Sequence, residues 1–200
     1  MRTVEIDTPH GPARAHVHRA AEPRAALVLG HGAGGGVEAR DLVTATEIAL
    51  AEGLTVALVE QPYRVAGRRS PAPAAQLDAA WTAVIAKLRS RTLRGLPLVV
   101  GGRSSGARVA CRTAAEVAAT GVLCLAFPVH PPGRPEKSRL DELDAVRVPV
   151  LVVQGDADPF GMPPKRRGRR VATVAGNHSL RDLDAVAAAI RTWLARTLEA

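Results

Sequence analysis

The chain has 200 residues, 46% of them hydrophobic and 23% charged, and its 27 basic and 19 acidic side chains leave a formal charge of +8. Those values fit one globular domain over residues 1–200 and exclude a disordered chain, while no apolar run approaches the roughly 20 residues of a membrane helix. The opening stretch carries Arg2, Glu5 and Asp7 and no apolar signal-peptide core, so the expected address is the cytoplasm.

Residues 3–8 and 13–20 alternate loosely between apolar and polar around Pro9, His10, Gly11 and Pro12, which predicts a hairpin. Residues 24–30 contain the run Ala25-Ala26-Leu27-Val28-Leu29 and stop at glycine, as a strand buried on both faces of a parallel sheet does. Residues 38–52 have helical spacing and end at Gly53, and residues 54–59 form the next buried strand. Residues 62–73 read as a loop rich in Pro, Gly and Arg. Residues 74–93 read as a long helix with Leu77, Trp81, Val84, Ile85 and Leu88 on one stripe.

A strand over 96–100, a helix over 104–119 and a strand over 122–126 follow. Then come a proline-rich loop over 131–137, a short helix over 140–146, strands over 149–153 and 171–174, and a closing helix over 183–198. After the hairpin the pattern alternates strand and helix, which predicts an α/β sheet with helices on both faces. Ligands of such sheets bind beyond the carboxyl ends of the strands, so chemistry is sought in the loops that follow each buried run.

Gly102, Ser104 and Gly106 form G-x-S-x-G between a buried strand and an Ala/Val-rich helix. A chain that turns abruptly from strand to helix strains its corner residue and stands that side chain out of the sheet. The positions two before and two after the corner come close, so they must be small. The hydroxyl of Ser104 is then presented at a helix amino end, where N–H groups favour developing negative charge. By itself the motif also suits a plain turn or a helix cap; its placement makes Ser104 the candidate nucleophile, with the N–H of Ser105 as an oxyanion donor.

The second glycine-rich loop is His31-Gly32-Ala33-Gly34-Gly35-Gly36. It lacks the Lys-Ser/Thr that a phosphate-cradling P-loop requires. Beside a serine elbow it reads as the other half of an oxyanion hole, with Ala33 or Gly34 donating, while His31 orients the loop. Two further loops offer Asp156 and Asp158 after 149–153, and His178 after 171–174. A serine hydroxyl needs a base, and that imidazole needs a carboxylate to fix its tautomer. The order Ser, Asp, His is the one this architecture requires, although His178 taken alone also suits a surface loop.

Taken together these stretches resemble the α/β-hydrolase superfamily. Within it the chain is similar to a small lidless family of hydrolases related to dienelactone hydrolases, which includes a testis-expressed hydrolase-like protein. The resemblance rests on His31-Gly32-Ala33-Gly34, Pro62-Tyr63-Arg64, Gly101-Gly102-Arg103-Ser104, Phe127-Pro128 with His130-Pro131-Pro132-Gly133, Gln154-Gly155 with Asp158-Pro159-Phe160-Gly161, and His178-Ser179-Leu180. It implies an α/β-hydrolase fold: a mostly parallel twisted sheet of about seven or eight strands, helices on both faces and no lid domain.

The same resemblance implies Ser104 as nucleophile, Asp158 rather than Asp156 as acid, and His178 as base. The oxyanion donors are then Ala33 and Ser105, and the activity is hydrolysis of an ester or related acyl bond in a small soluble substrate, with no cofactor and no metal. The family often has a bulky residue after the nucleophile; Ser105 makes that wall smaller and more polar. Gly34, Tyr63, Arg64 and His130 follow strand ends and are candidates to line the substrate cleft, although Pro62-Tyr63-Arg64 equally suits plain packing of its loop. Arg103 suits a carboxylate, of the protein or of the substrate.

Two features stand outside that site. Cys111 and Cys124 have no metal or CxxC spacing and read as buried reduced thiols. The run Lys165-Arg166-Arg167-Gly168-Arg169-Arg170 reads as a solvated face rather than a nucleic-acid contact, because no aromatic residue for base stacking lies near it in sequence.

Overall fold

The computed structural model describes residues 1–198. The chain opens with an antiparallel hairpin, β1 (Arg2–Thr8) and β2 (Gly11–His18). It continues through β3 (Ala25–Gly30), α1 (Arg40–Ala51), β4 (Leu54–Glu60), α2 (Pro62–Val65), α3 (Ala74–Arg89), β5 (Leu98–Arg103) and α4 (Ser105–Thr113). It closes with β6 (Gly121–Leu125), α5 (Leu140–Asp144), β7 (Val150–Gly155), β8 (Arg169–Val174) and α6 (Leu183–Leu198). The strands form one eight-stranded sheet in the order β1-β2-β4-β3-β5-β6-β7-β8. Every pairing from β4 to β8 is parallel, and the hairpin joins through the antiparallel β2–β4 ladder.

The apolar runs of β3 and β7 are buried along their whole length because both sheet faces are covered. Alternate residues divide between two cores. Ala26, Val28, Ala57 and Val59 face α3, α4 and α5, where Leu77, Trp81, Val84, Val109 and Leu143 fill the space. Leu27, Leu29, Val56 and Leu58 face α1 and α6, where Leu42, Ala45, Ile190, Trp193 and Leu194 do so. Between the end of β6 and the start of β7 the only helix among the described residues is α5, so no lid crosses the sheet. Among the described residues no helix is long and apolar enough to cross a membrane.

The structure departs from the sequence reading at several boundaries. The loop over 62–73 begins with a helical turn, α2, started by Pro62 at its first position. Strand β5 runs on through Gly101 and Gly102, and position 101 has room only for glycine, since a side chain there would strike the Leu123 carbonyl of the neighbouring strand. Helices α3 and α4 end earlier than expected, at Arg89 and Thr113. Each is closed by an N–H reaching back five residues, Leu93 to Leu88 O and Ala119 to Ala114 O.

Candidate active site

The corner between β5 and α4 is crowded by backbone. A Cβ on Gly102 or on Gly106 would collide with the backbone of Gly30, the last residue of β3. The chain can therefore turn only with glycine at both positions. Ser104 sits at the corner with φ 51° and ψ −108°, a region that non-glycine residues rarely occupy. Its N–H is tied to Leu125 O of β6 at 2.9 Å, and the residue is half-buried.

His178 is carried on the loop between β8 and α6. Its Nε2 lies 2.9 Å from Ser104 Oγ and its Nδ1 lies 2.8 Å from Asp158 Oδ2. Asp158 stands on the turn that follows β7, with its side chain 1% exposed against 16% for His178. Its carboxylate collects two more donors: Gln154 Nε2 at 2.8 Å on Oδ2 and the Phe160 N–H at 2.9 Å on Oδ1. An ionised carboxylate only accepts, so Nδ1 of His178 carries the proton and Nε2 is left to accept from Ser104. The Phe160 ring packs on His178 with centroids 4.2 Å apart. Asp156 is placed elsewhere: exposed, it accepts the Gly176 N–H at 2.9 Å and ties the acid turn to the histidine loop.

Arg103, next to Ser104 in sequence, pairs within the protein. Its Nε donates to Asp41 Oδ2 at 3.0 Å and its Nη2 donates to the carbonyl of His178 at 3.1 Å. One guanidinium thus fastens the histidine loop to the start of α1. Burial pushes the Asp41 carboxyl above its usual range, against the opposing pull of Arg103.

The glycine loop hangs on two rings. Buried His31 donates from Nδ1 to Gly32 O at 2.8 Å and accepts the Gln61 N–H on Nε2 at 3.1 Å. Those roles fix one neutral tautomer, and burial lowers its pKa. Tyr63 stands edge-on to His31 and donates its hydroxyl to Ala33 O at 2.9 Å. Ser105 opens α4, so its N–H lacks an intrahelical acceptor.

Ser104, Asp158 and His178 come together, with Ser105 and the Ala33 loop beside them. Gly34 is exposed and lines a hollow of about 470 Å³ with Asp41, Arg103 and Ser179. The three other candidate cleft residues bond to the protein's own backbone. Tyr63 is 7% exposed and gives its proton to the glycine loop, so it supports that loop rather than standing open to substrate. Arg64 turns back on the following loop, with Nη1 3.4 Å from Arg68 O. His130 lies behind the acid turn: its N–H donates to Phe160 O, and its Nδ1 donates to Pro131 O at 2.9 Å.

The sequence reading missed Gln154 and Asp41. Gln154 had a signal, a lone polar residue ending an apolar strand run; it is fully buried and its amide also reaches Phe127 O and Gly161 O. Asp41 had none. Among the described residues no three His, Cys, Asp or Glu side chains converge as a metal site needs.

A family model described as an alpha/beta hydrolase domain matches residues 23–187 of the chain. Solved structures with the same course of chain include an α/β serine hydrolase without a lid from Xanthomonas campestris, with 21% identity and a TM-score of 0.79 over 100% of this chain and 95% of that one. Est1E from Butyrivibrio proteoclasticus matches at 16% identity and a TM-score of 0.80 over 100% of both chains. A dienelactone hydrolase from Anabaena variabilis matches at 16% identity and a TM-score of 0.75, over 98% of this chain and 96% of that one. At such identities the likeness to these structures is one of fold.

Proposed function

The chain belongs to the alpha/beta hydrolase family, and from that premise we propose that it is a serine hydrolase cleaving an ester or related acyl bond of a small soluble substrate. The reading rests above all on the unbroken hydrogen-bonded chain from Ser104 Oγ through His178 to Asp158. Ser104 attacks the acyl carbonyl carbon while His178 Nε2 takes its proton. Asp158 holds the imidazole in the accepting tautomer and stabilises the charge it gains. The N–H groups of Ser105 and Ala33 hold the oxyanion as the carbonyl π bond opens.

His178 then gives its proton to the departing oxygen as the acyl–oxygen bond breaks, leaving the acyl group on Ser104. A water molecule loses a proton to His178 and attacks that ester. The new acid leaves, and the proton returns to Ser104.

A small substrate fits the short crossing from β6 to β7, which covers the site with no lid. A reducing compartment, the cytoplasm, fits the unbridged pair Cys111 and Cys124, whose sulfurs lie 3.6 Å apart in the core. The test is labelling with a fluorophosphonate, with the modified residue read by mass spectrometry. The label is expected on Ser104 alone and absent from Ser104→Ala, whose ester turnover should fall by at least ~10³-fold. An unlabelled Ser104, or undiminished turnover in the variant, removes this mechanism.

A further inference from the structure

The basic run over 165–170 borders a shallow, open concavity at one end of the sheet. The run and β8 pack against the start of β7 and the last turns of α6, leaving two adjoining hollows of about 680 and 360 Å³ that share Gly168 and Arg169. This is the end of the sheet where β7 and β8 begin; Asp158 and His178 follow their other ends. Arg147, Lys165, Arg166, Arg167, Arg170 and Arg196 line the hollows. Asp144 is the one carboxylate among the described lining residues, and it is already engaged by Arg166 at 2.9 Å and by Arg169. Among the described residues Arg147, Lys165, Arg167 and Arg170 make no ion pair, which leaves four cations close together without a described acidic partner.

Arg169, between the two hollows, is held by the protein itself. The residue is 7% exposed. Its Nη1 donates to Pro164 O at 3.3 Å and its Nη2 to Asp144, yet its buried Nε–H has no acceptor. A buried donor left without a partner is unfavourable, but this one has no surface open to the hollows, so the exposed cations around it would make the contacts to an anion. Guanidinium groups match phosphate oxygens in pairs, and several cations around a concavity of this size suit an anion carrying several phosphate groups. A nucleic acid is less well served. Trp193, the one aromatic residue lining the concavity, is 5% exposed and offers no open ring for a base to stack on.

We infer that this concavity is a binding site for a compact oligophosphate anion, separate from the site around Ser104. The inference stands whether or not the chain hydrolyses esters. The test is titration calorimetry with inorganic tripolyphosphate at physiological ionic strength. Three proteins are compared: the unaltered chain, the concavity variant Lys165→Gln/Arg167→Gln/Arg170→Gln, and a control of equal charge loss, Arg19→Gln/Arg91→Gln/Arg94→Gln. All six side chains are exposed, so thermal melts should show all three proteins folded.

Saturable binding at one site is expected, weakened at least ~10-fold in the concavity variant and less than ~2-fold in the control. Equal weakening in both variants would show that net charge alone draws the anion, and an absence of saturation would show no site; either overturns the inference. A short single-stranded oligonucleotide binding the concavity more tightly than tripolyphosphate would overturn it too, by making the ligand a nucleic-acid backbone.

Discussion

The two ends of the His178 hydrogen-bond chain are built from different materials. At the serine end the geometry is made by main chain: Gly102 and Gly106 close on Gly30, and Ser104 is forced to φ 51° between them. At the acid end it is made by side chains: Gln154, Phe160 and His178 surround Asp158. Crowded main chain leaves no choice of residue, because the smallest side chain already overlaps a neighbour. A carboxylate that needs donors can take them from many residue types. The serine end should therefore fail on the addition of a single methyl group, and the acid end should tolerate exchange of the side chains that support it, Gln154 and Phe160, though not of Asp158 or His178.

The largest effect is expected where the acid end has no substitute. Asp158→Asn keeps size but replaces an acceptor by an amide that favours the wrong imidazole tautomer, so kcat for an ester should drop by ~10³-fold or more. Asp156→Asn should stay within about threefold, since Asp156 accepts only the Gly176 N–H on the surface. Steady-state kinetics on both variants decide the matter. The reverse ranking would move the acid to Asp156 and undo the account of this end.

A second pair sets the two ends directly against each other. In Gly106→Ala the new methyl would lie 2.9 Å from His31 O and closer still to Gly30, so α4 must move off β3. Overpacking of that kind costs about 2–3 kcal/mol. Phe160→Leu removes an aromatic ring from His178 but keeps the N–H that Asp158 accepts, and should cost about 1 kcal/mol. Urea unfolding of the two variants compares them. If losing the ring destabilises as much as gaining the methyl, the contrast between main-chain and side-chain construction is wrong.

The same contrast explains what could be read from the sequence. Glycines forced by crowding recur at fixed spacing, so the corner around Ser104 was legible, as were the apolar strands and the α/β sheet they build. Arg103 called for a carboxylate, but nothing marked Asp41, far away in sequence at the start of α1, as its partner. Gln154 entered the sequence reading only as part of a family-like stretch shared with Asp158, with no role given to its amide. For Tyr63 and His130 the sequence indicated a position after a strand and no partner, because such a position does not say which way a ring turns; the structure shows them bonded to Ala33 O and Pro131 O. Helix α4 ended early for a similar reason. The run 114–119 is rich in alanine and reads as helix, yet Ala118 takes φ 49° to bring the chain round into β6, with no glycine there to announce the turn.

His31 is the exception that tests the comparison, a side chain at the end otherwise built from main chain. It holds the glycine loop as a neutral ring, donating at Nδ1 and accepting the Gln61 N–H at Nε2. Protonation would turn that acceptor into a donor facing a donor, and burial already opposes the charge, so the folded pKa lies below the ordinary value of about 6.5. For a group with a depressed folded pKa, the unfolded chain binds the proton first as pH falls. The stability contributed by neutral His31 is thus complete above about pH 6.5 and is lost below it, by up to about 1.4 kcal/mol per pH unit. His31→Gln cannot titrate there, while every other group is common to both proteins and cancels in the difference. Urea unfolding at about pH 7.5, 6.5 and 5.5 should show the unaltered chain ahead of the variant by a margin that shrinks as pH falls. A margin independent of pH would mean that this ring carries no cost of charging in the folded state, and that the main chain alone holds the loop.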